Sequence, residues 1–446
     1  MKGLFQTLRN IWSIEDLRFK ILYTLGLIFV YRVGSFIVLP GIDPTQLSRL
    51  SSGGGGLFGI FDMFAGGGFT RASVFALGVM PYISASIVMQ LLTLAVPYFQ
   101  KMQKEGESGR RKINQITRYA TILVTAFQAS AYVKFLQFMM QGGIMVSPWL
   151  FWISTVVVLT AGTIFVMWLG EKITDRGLGN GISILIMAGI IATLPASIFV
   201  EFKAKMSGNV GGGLVFFVIE LLFLAAVIIF TILMVQGTRK IPVQYAKRIV
   251  GNKQYGGVRQ YIPLKVNLAG VMPIIFAQAF LFIPGTIAQM FPQALETGGF
   301  LSKFSDFTSV PYNMLSFTLV VLFTYFYTAL IINPRQMSDD LKRNNGFIPG
   351  VKPGKKTEEY IDSVMSRITL PGALALGVIA ILPAFAGGLG INSQFAQFFG
   401  GTSLLIMVSV ILDTLQQVES HLLMRHYDGL TKSGTRIKGR TTVGGI

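Results

Sequence analysis

The sequence predicts an all-α integral membrane protein with ten transmembrane helices in two five-helix halves of inverted orientation. Three observations point there. Of the 446 residues, 52% are hydrophobic and 13% charged, with a mean hydropathy of +0.60. A soluble domain typically carries about 25% charged residues. Apolar windows close to the roughly 20 residues that a bilayer requires recur along the chain, and basic residues gather in alternate connections between them. The glycine content, 50 residues, fits the same class, since glycine is frequent in membrane helices.

Taken in order, residues 1–18 form a polar lead. The first apolar run, Phe19–Leu39, is long and has no small-residue cleavage site, so it reads as a first span rather than a cleaved signal. Further spans are expected over Ser73–Val96, Tyr119–Met140, Pro148–Leu169, Ile182–Ile198, Leu214–Val235, Val266–Phe291, Leu315–Ile332, Leu370–Phe385 and Leu404–Leu423. The fifth, eighth and ninth are short, which predicts helices packed inside the bundle rather than facing lipid.

Ten spans put both termini on one side. With the N-terminus in the cytosol, cytosolic segments hold all 38 Lys and Arg residues except Arg32, Arg49, Arg71, Lys134, Lys203, Lys205 and Lys303. Such a split is the positive-inside signature. The chain then divides into halves, residues 19–200 and 201–425, followed by a cytosolic tail over 426–446. Halves with an odd number of spans insert in opposite orientations, as inverted repeats do, and the interface of such repeats commonly houses a transport path. The second span of each half carries a similar proline, Val79-Met80-Pro81 and Val271-Met272-Pro273.

Leu57–Phe64 is apolar but too brief to cross a bilayer. Gly66, Gly67 and Gly68 cut it off before the second span. Broken helices at membrane depth are tolerated only where protein or a water-filled cavity surrounds them, so this half-helix reads as a segment that enters a cavity and turns back. An amphipathic segment on the membrane surface is the alternative.

Two cytosolic loops stand out. Residues 236–265 are basic with no acid, and alternation around Ile241, Val243 and Tyr245, then Val258, Gln260 and Ile262, predicts a hairpin. Residues 333–367 are long and basic, punctuated by Pro349-Gly350 and Pro353-Gly354. They serve either as topology determinants attracted to anionic lipid or as a docking surface for an acidic partner or for ribosomal RNA read through its phosphates.

Catalytic patterns are missing. His421 and His426 stand near the end of the last span, cysteine is absent, and no HExxH, GxSxG or GxxxxGK[ST] occurs. Neither a metal site nor a cofactor is expected. Gly177-Leu178-Gly179-Asn180-Gly181 reads as a helix-initiating turn before Ile182 rather than a nucleotide loop. Charges inside spans are few, chiefly Glu220 and Asp413. This weakens a small-solute pump, which usually shows an intramembrane acid or a broken-helix ion site.

Six stretches resemble the SecY family of protein-conducting channel subunits. They are ALGVMPYISASIVMQLL (Ala76–Leu92), KEGESGRRKINQITRY (Lys104–Tyr119), WLGEKITDRGLGNGISILI (Trp168–Ile186), IPLKVNLAGVMPIIF (Ile262–Phe276), NPRQMSDDLKRNNGFIPGVKPGKKTEEYI (Asn333–Ile361) and GGTSLLIMVSVILDT (Gly400–Thr414). They stand in the family's order and are spread from Ala76 to Thr414, over most of the chain's length.

The resemblance implies a clamshell of two five-helix halves around an hourglass pore in the bacterial cytoplasmic membrane. Positions similar to its apolar ring are Val79, Ile83, Ile182, Ile186, Ile275 and Ile406. Val79/Ile83 and Ile182/Ile186 are i,i+4 pairs, each on one helical face, although ordinary helix packing would use the same pattern. Leu57, Phe58, Ile60, Phe61 and Phe64 are similar to a re-entrant plug over residues 57–68, hinged by Gly53–Gly56 and Gly66–Gly68. A lateral gate toward lipid is expected between the second and seventh spans, where a preprotein signal sequence enters. Arg239, Lys240, Lys247, Arg248 and Arg259, with Lys352, Lys355 and Lys356, resemble docking residues for the SecA motor ATPase and the ribosome. Lys352 stands where the family usually has Arg, and Lys cannot make the bidentate fork that Arg makes. SecE as a brace and SecG are the further partners implied. A secondary transporter with a five-plus-five repeat and a membrane scaffold are the rival classes.

Overall fold

Helices in this protein outrun their apolar centres. The computed structural model describes residues 12–43, 57–140, 145–207, 213–245, 248–250, 253–255, 259–290 and 308–432. In chain order the first elements are α1 (Glu15–Gly34), α2 (Leu57–Phe64), α3 (Met80–Ala95), α4 (Pro97–Lys104), α5 (Glu107–Met139), α6 (Pro148–Arg176), α7 (Gly181–Met206) and α8 (Gly213–Gln236). Strands β1 (Thr238–Tyr245), β2 (Arg248–Val250), β3 (Lys253–Tyr255) and β4 (Arg259–Lys265) follow. The rest comprises α9 (Met272–Met290), α10 (Val310–Ile331), α11 (Pro334–Arg343), β5 (Gly346–Phe347), α12 (Lys355–Gly388), α13 (Ser393–Ala396) and α14 (Gly401–Lys432).

Every expected span falls on one of these helices. Among the described residues, seven helices are long and apolar enough to cross a membrane: α5 to α8, α12, α14, and the run Val310–Arg343 that joins α10 to α11. The pair α3 and α4, bent by 96°, makes an eighth. The remaining two spans, α1 and α9, fall short of that test. The protein is therefore a multi-pass membrane protein, with seven or eight helices that meet this test among the described residues, which is consistent with ten spans of unequal apolar length.

Three expectations need correction. The fifth, eighth and ninth spans are not short: α7, α10 and α12 have 26, 22 and 34 residues. The Glu and Lys residues that closed the apolar windows are good helix formers, and Pro195 and Pro371 lie inside their helices rather than at an end. Nor do the first two of these sit deeper. The apolar windows of α7 and Val310–Arg343 are 33% and 28% buried, against 39% for α5 and α6. The second span, finally, begins at Met80 and not Ser73. Pro81 occupies the first turn, where its missing N–H is no loss. Before it, residues 65–79 run through successive turns tied to the end of α1 by a Val38–Ser73 bridge.

Many hydroxyls inside the bundle are satisfied along their own helices, while those of Thr155 and Ser409 find no partner. In α5 the hydroxyls of Thr117, Thr121 and Thr125 each donate to the carbonyl four residues back, at 2.9, 2.8 and 2.6 Å. A bilayer core supplies no water to take their place. Contacts between the two halves form two main seams, one where α9 meets α3 and α5, the other where α7 meets α8, α13 and α14.

The two basic loops fold together. Strands β1 and β4 pair antiparallel, as a hairpin requires, with Ile241 opposite Ile262 and Val243 opposite Gln260, while Val258 lies outside the described residues. The second loop adds β5 to the same sheet, in the order β4-β1-β5. Ile241, Val243, Leu264, Leu341, Ile348, Ile361 and Met365 close a small core beneath it. Ile361→Ala, at a fully buried position, should cost about 2–5 kcal/mol. The expected readout is faster limited proteolysis within residues 236–265; an unchanged cleavage rate would mean that the two loops are not one unit.

Candidate functional site

The non-helical run from Ala65 to Val79 sits among buried helices, so its backbone must find partners locally. It does so in a dense set of bonds. The amides of Gly66, Gly67 and Gly68 donate to the carbonyls of Met63, Asp62 and Ala65, at 3.1, 2.8 and 3.2 Å. The carboxylate of Asp62 accepts from both the amide and the hydroxyl of Thr70, at 2.8 and 2.9 Å. Arg32 donates to the Gly66 carbonyl at 2.7 Å, and the Tyr132 hydroxyl donates to the Phe69 carbonyl at 2.6 Å. The glycines expected as a loose hinge after α2 are thus a bonded turn. Gly66 and Gly67 reach φ of +64° and +84°, the left-handed region that favours glycine.

Helix α2 has the expected bounds and is held by aromatic contacts. The Phe61 ring lies 4.4 Å from that of Phe282 on α9 and 5.7 Å from Phe69, and Phe64 meets Phe282 edge-on at 6.3 Å. Phe61 and Phe64 are both buried. The side chains of Leu57, Phe58 and Ile60, and residues Gly53–Gly56, lie outside the described residues. On the other side the turn after α2 packs against α7 through glycine. A Cβ at Gly189 would stand 2.9 Å from the Phe64 carbonyl and 3.3 Å from the Gly66 amide.

Three of the expected ring residues meet where α2 is seated. Ile83, Ile275 and Ile406, from α3, α9 and α14, line one narrow cavity with Phe64 and Phe282. No titratable side chain lines it. Val79 and Ile186 are buried in the same continuous core, with Ile182 packed against it, but none of the three reaches this cavity. Val79 sits at the N-cap of α3, and its carbonyl accepts from the Ile83 amide at 3.1 Å. The glycine-rich turn before Ile182 initiates α7 as expected: the Asn180 side chain accepts from the amides of Ile182 and Ser183, at 3.1 and 3.3 Å.

Two larger openings adjoin this waist. A groove of about 1000 Å³ lies between α3, α5 and α9, with Ile87, Val88, Leu91, Phe127 and Ile283 among its walls. Val88 and Ile283 are half exposed, at 51% and 55%, so the groove opens at the surface of the helix bundle. Toward the sheet, a polar chamber of about 1250 Å³ is lined by Gln90, Gln103, Arg110 and Asn114.

On the sheet side, Arg239, Lys240, Lys352, Lys355 and Lys356 are exposed. Lys356 pairs with Glu359 at 3.1 Å. Lys352 lies between Gly350 and Gly354, and its carbonyl accepts from the Thr357 hydroxyl at 3.0 Å. Arg248 and Arg259 lie on strands, but their side chains, like Lys247 entirely, are outside the described residues. Sequence reasoning missed Arg32, Asp62, Tyr132, Phe282 and Gly189 as parts of this site. Gly66–Gly68 hinted at a close approach without naming its partner. Among the described residues no group of three His, Asp or Glu side chains converges as a metal site would require.

Comparison with known proteins agrees with this architecture. A family model described as SecY matches residues 73–415. Relatives called protein translocase subunit SecY come from Streptomyces coelicolor, Vibrio cholerae and Escherichia coli. The first is 43% identical, with 94% of this chain and 98% of the relative covered. The others are 44% and 42% identical, with 96% of each chain covered. A solved structure described as a protein conducting channel superimposes with a TM-score of 0.63 at 18% identity, over 90% of this chain and 92% of its own. Sec61 in a canine ribosome-channel complex gives 0.58 at 17%, over the same shares. At these identities the solved structures speak for the fold alone.

The glycine contact yields a prediction. Gly189→Val places atoms against the Phe64 carbonyl and should displace the turn after α2, at the roughly 1–3 kcal/mol typical of overpacking. With no native cysteine present, the pair Phe61→Cys and Phe282→Cys reports on seating by oxidative cross-linking. The yield should already fall with Gly189→Ala, whose Cβ stands too close to a backbone carbonyl for both to keep their places, and should fall several-fold further with Gly189→Val. Equal yields in all three would mean that the turn does not rest on α7.

Proposed function

This chain belongs to the SecY family, and from that premise we propose that it is the central subunit of a bacterial protein translocon. It is a passive channel and not an enzyme. The observation that carries the reading is the meeting of Ile83, Ile275 and Ile406 with Phe64 at one narrow point, beside a groove that opens at the bundle surface between α3 and α9. An apolar constriction excludes ions by dewetting, yet it can widen around an extended polypeptide because nothing covalent closes it. Helix α2 is the plug, and Val79, Ile182 and Ile186 complete the ring when it leaves. A signal sequence enters the groove because its apolar core gains roughly 25 cal/mol per Å² removed from water. The same groove releases membrane-protein segments sideways into the bilayer.

The orientation follows from charge. The sheet and both termini face the cytosol, as the positive-inside rule requires, and the membrane is the bacterial cytoplasmic one. The fused basic platform receives the SecA motor or the ribosome, which supply the energy. SecE braces the two halves, and SecG joins them. A secondary transporter would need a solute-sized polar site at the waist, where a narrow, mostly apolar cavity stands instead, with Ser84, Gln278 and Thr402 as its polar side chains.

A photo-cross-linker at Ile83, in membranes holding a secretory preprotein stalled midway, tests the path. Adducts with the stalled chain are expected, and they should vanish when SecA or the signal sequence is omitted. No adduct, with uptake of a small solute instead, would revive the transporter. At the platform, Lys352→Arg should be tolerated while Lys352→Glu slows motor-driven translocation several-fold. Normal rates in the Glu variant would remove Lys352 from the docking surface.

A further inference from the structure

A charged cluster lies outside the waist, the groove and the platform. Glu201 and Lys205 stand one turn apart near the end of α7, and Glu220 lies on α8, with side chains 1%, 2% and 4% exposed. The Lys205 ammonium is 3.6 Å from a Glu201 oxygen and 3.0 Å from a Glu220 oxygen, and it lies 5.4 Å from the Phe216 ring centre. The second oxygen of Glu201 accepts from the Asn392 amide at 3.0 Å. Asn392 in turn caps α13 through its side chain. The cluster therefore ties α7, which runs past the expected boundary at residue 200 and is the last helix of the first half, to two segments of the second: Lys205 reaches Glu220 on α8, and Glu201 accepts from Asn392 before α13.

Charges so deeply buried in a membrane protein are costly unless paired and are usually functional. A conventional pair would need one carboxylate, whereas this cluster has two on a single cation. Each carboxylate comes from a different half. An apolar contact at this seam would let the halves slide, since dispersion has little directional preference. A buried ion contact fixes their register, because moving Glu220 away from Lys205 leaves a buried carboxylate without its cation, while Glu201 travels with Lys205 on the same helix.

We infer that Lys205 is a positioning residue, the clasp that keeps the α7 seam shut while the α9 seam opens. The inference rests on the channel reading above. With the clasp intact, the halves rotate about this cluster, and only an inserted signal sequence supplies the work that parts α3 from α9. Without it the halves separate at both seams, and the channel loses its discrimination between clients.

The test uses the full chain with its partners in proteoliposomes. Variants are Lys205→Met, Lys205→Arg, and the apolar pair Lys205→Met with Glu220→Met, which leaves fewer unpaired charges and guards against a failure to fold. Two readouts are taken. One is the ratio of translocation for a preprotein with a defective signal sequence to that for an intact one. The other is the distance distribution between spin labels at Phe199 on α7 and Leu389 beside α13, both exposed. The two Met-bearing forms should raise the ratio several-fold and broaden the distances, and Lys205→Arg should restore both. Folded Met-bearing forms with an unchanged ratio and unchanged distances would overturn the clasp. Absence of translocation by the parent chain would overturn the channel reading instead, and the distances would then still decide whether the cluster joins the halves.

Discussion

At membrane depth a backbone amide has no water to fall back on, and this constraint shapes the molecule more than any single contact. The helices answer it along their own length. The run from Ala65 to Val79 cannot, so it is enclosed by α1, α5 and α7 and bonded to Arg32, Tyr132 and the strand-like pairing around Val38. The position of α2 follows. It can lie across the waist because the turn behind it is already satisfied, and it can remain a short helix because Phe282 and Phe69 cover its aromatic face.

Much of this was legible in the sequence. The bounds of α2, the pairing of β1 with β4 and the turn that starts α7 all follow from local signals: an apolar run cut by glycines, a period of two, and a glycine-rich stretch before an apolar one. The start of α3 was misjudged because residues 73–79 are as apolar as the helix that follows, and hydropathy does not distinguish a buried turn from a buried helix. The lengths of α7 and α12 were misjudged for the converse reason. Lys and Glu end an apolar window without ending a helix.

What sequence could not supply was pairing across the chain. Gly189 has no local reason to be glycine; its reason is a carbonyl on α2. Arg32, counted by charge alone, looked like an exception to the basic-side rule until its bond to Gly66 gave it a place. Glu220, one of the few charges inside a span, is paired with Lys205 from another helix. Of the expected ring, Ile83, Ile275 and Ile406 converge from distant helices, whereas the i,i+4 argument could speak only for neighbours on one helix.

Helix α12 carries a mechanical consequence. Its 34 residues make a rod of roughly 50 Å at about 1.5 Å per residue. It begins at Lys355 on the basic platform and ends at Gly388, beyond which Asn392 meets Glu201. Pro371 and Pro383 each remove an amide from its ladder, so the rod is most compliant at those two joints. The points of easiest bending therefore lie along the one helix that joins the basic platform to the turn at Asn392, and not at either of its ends.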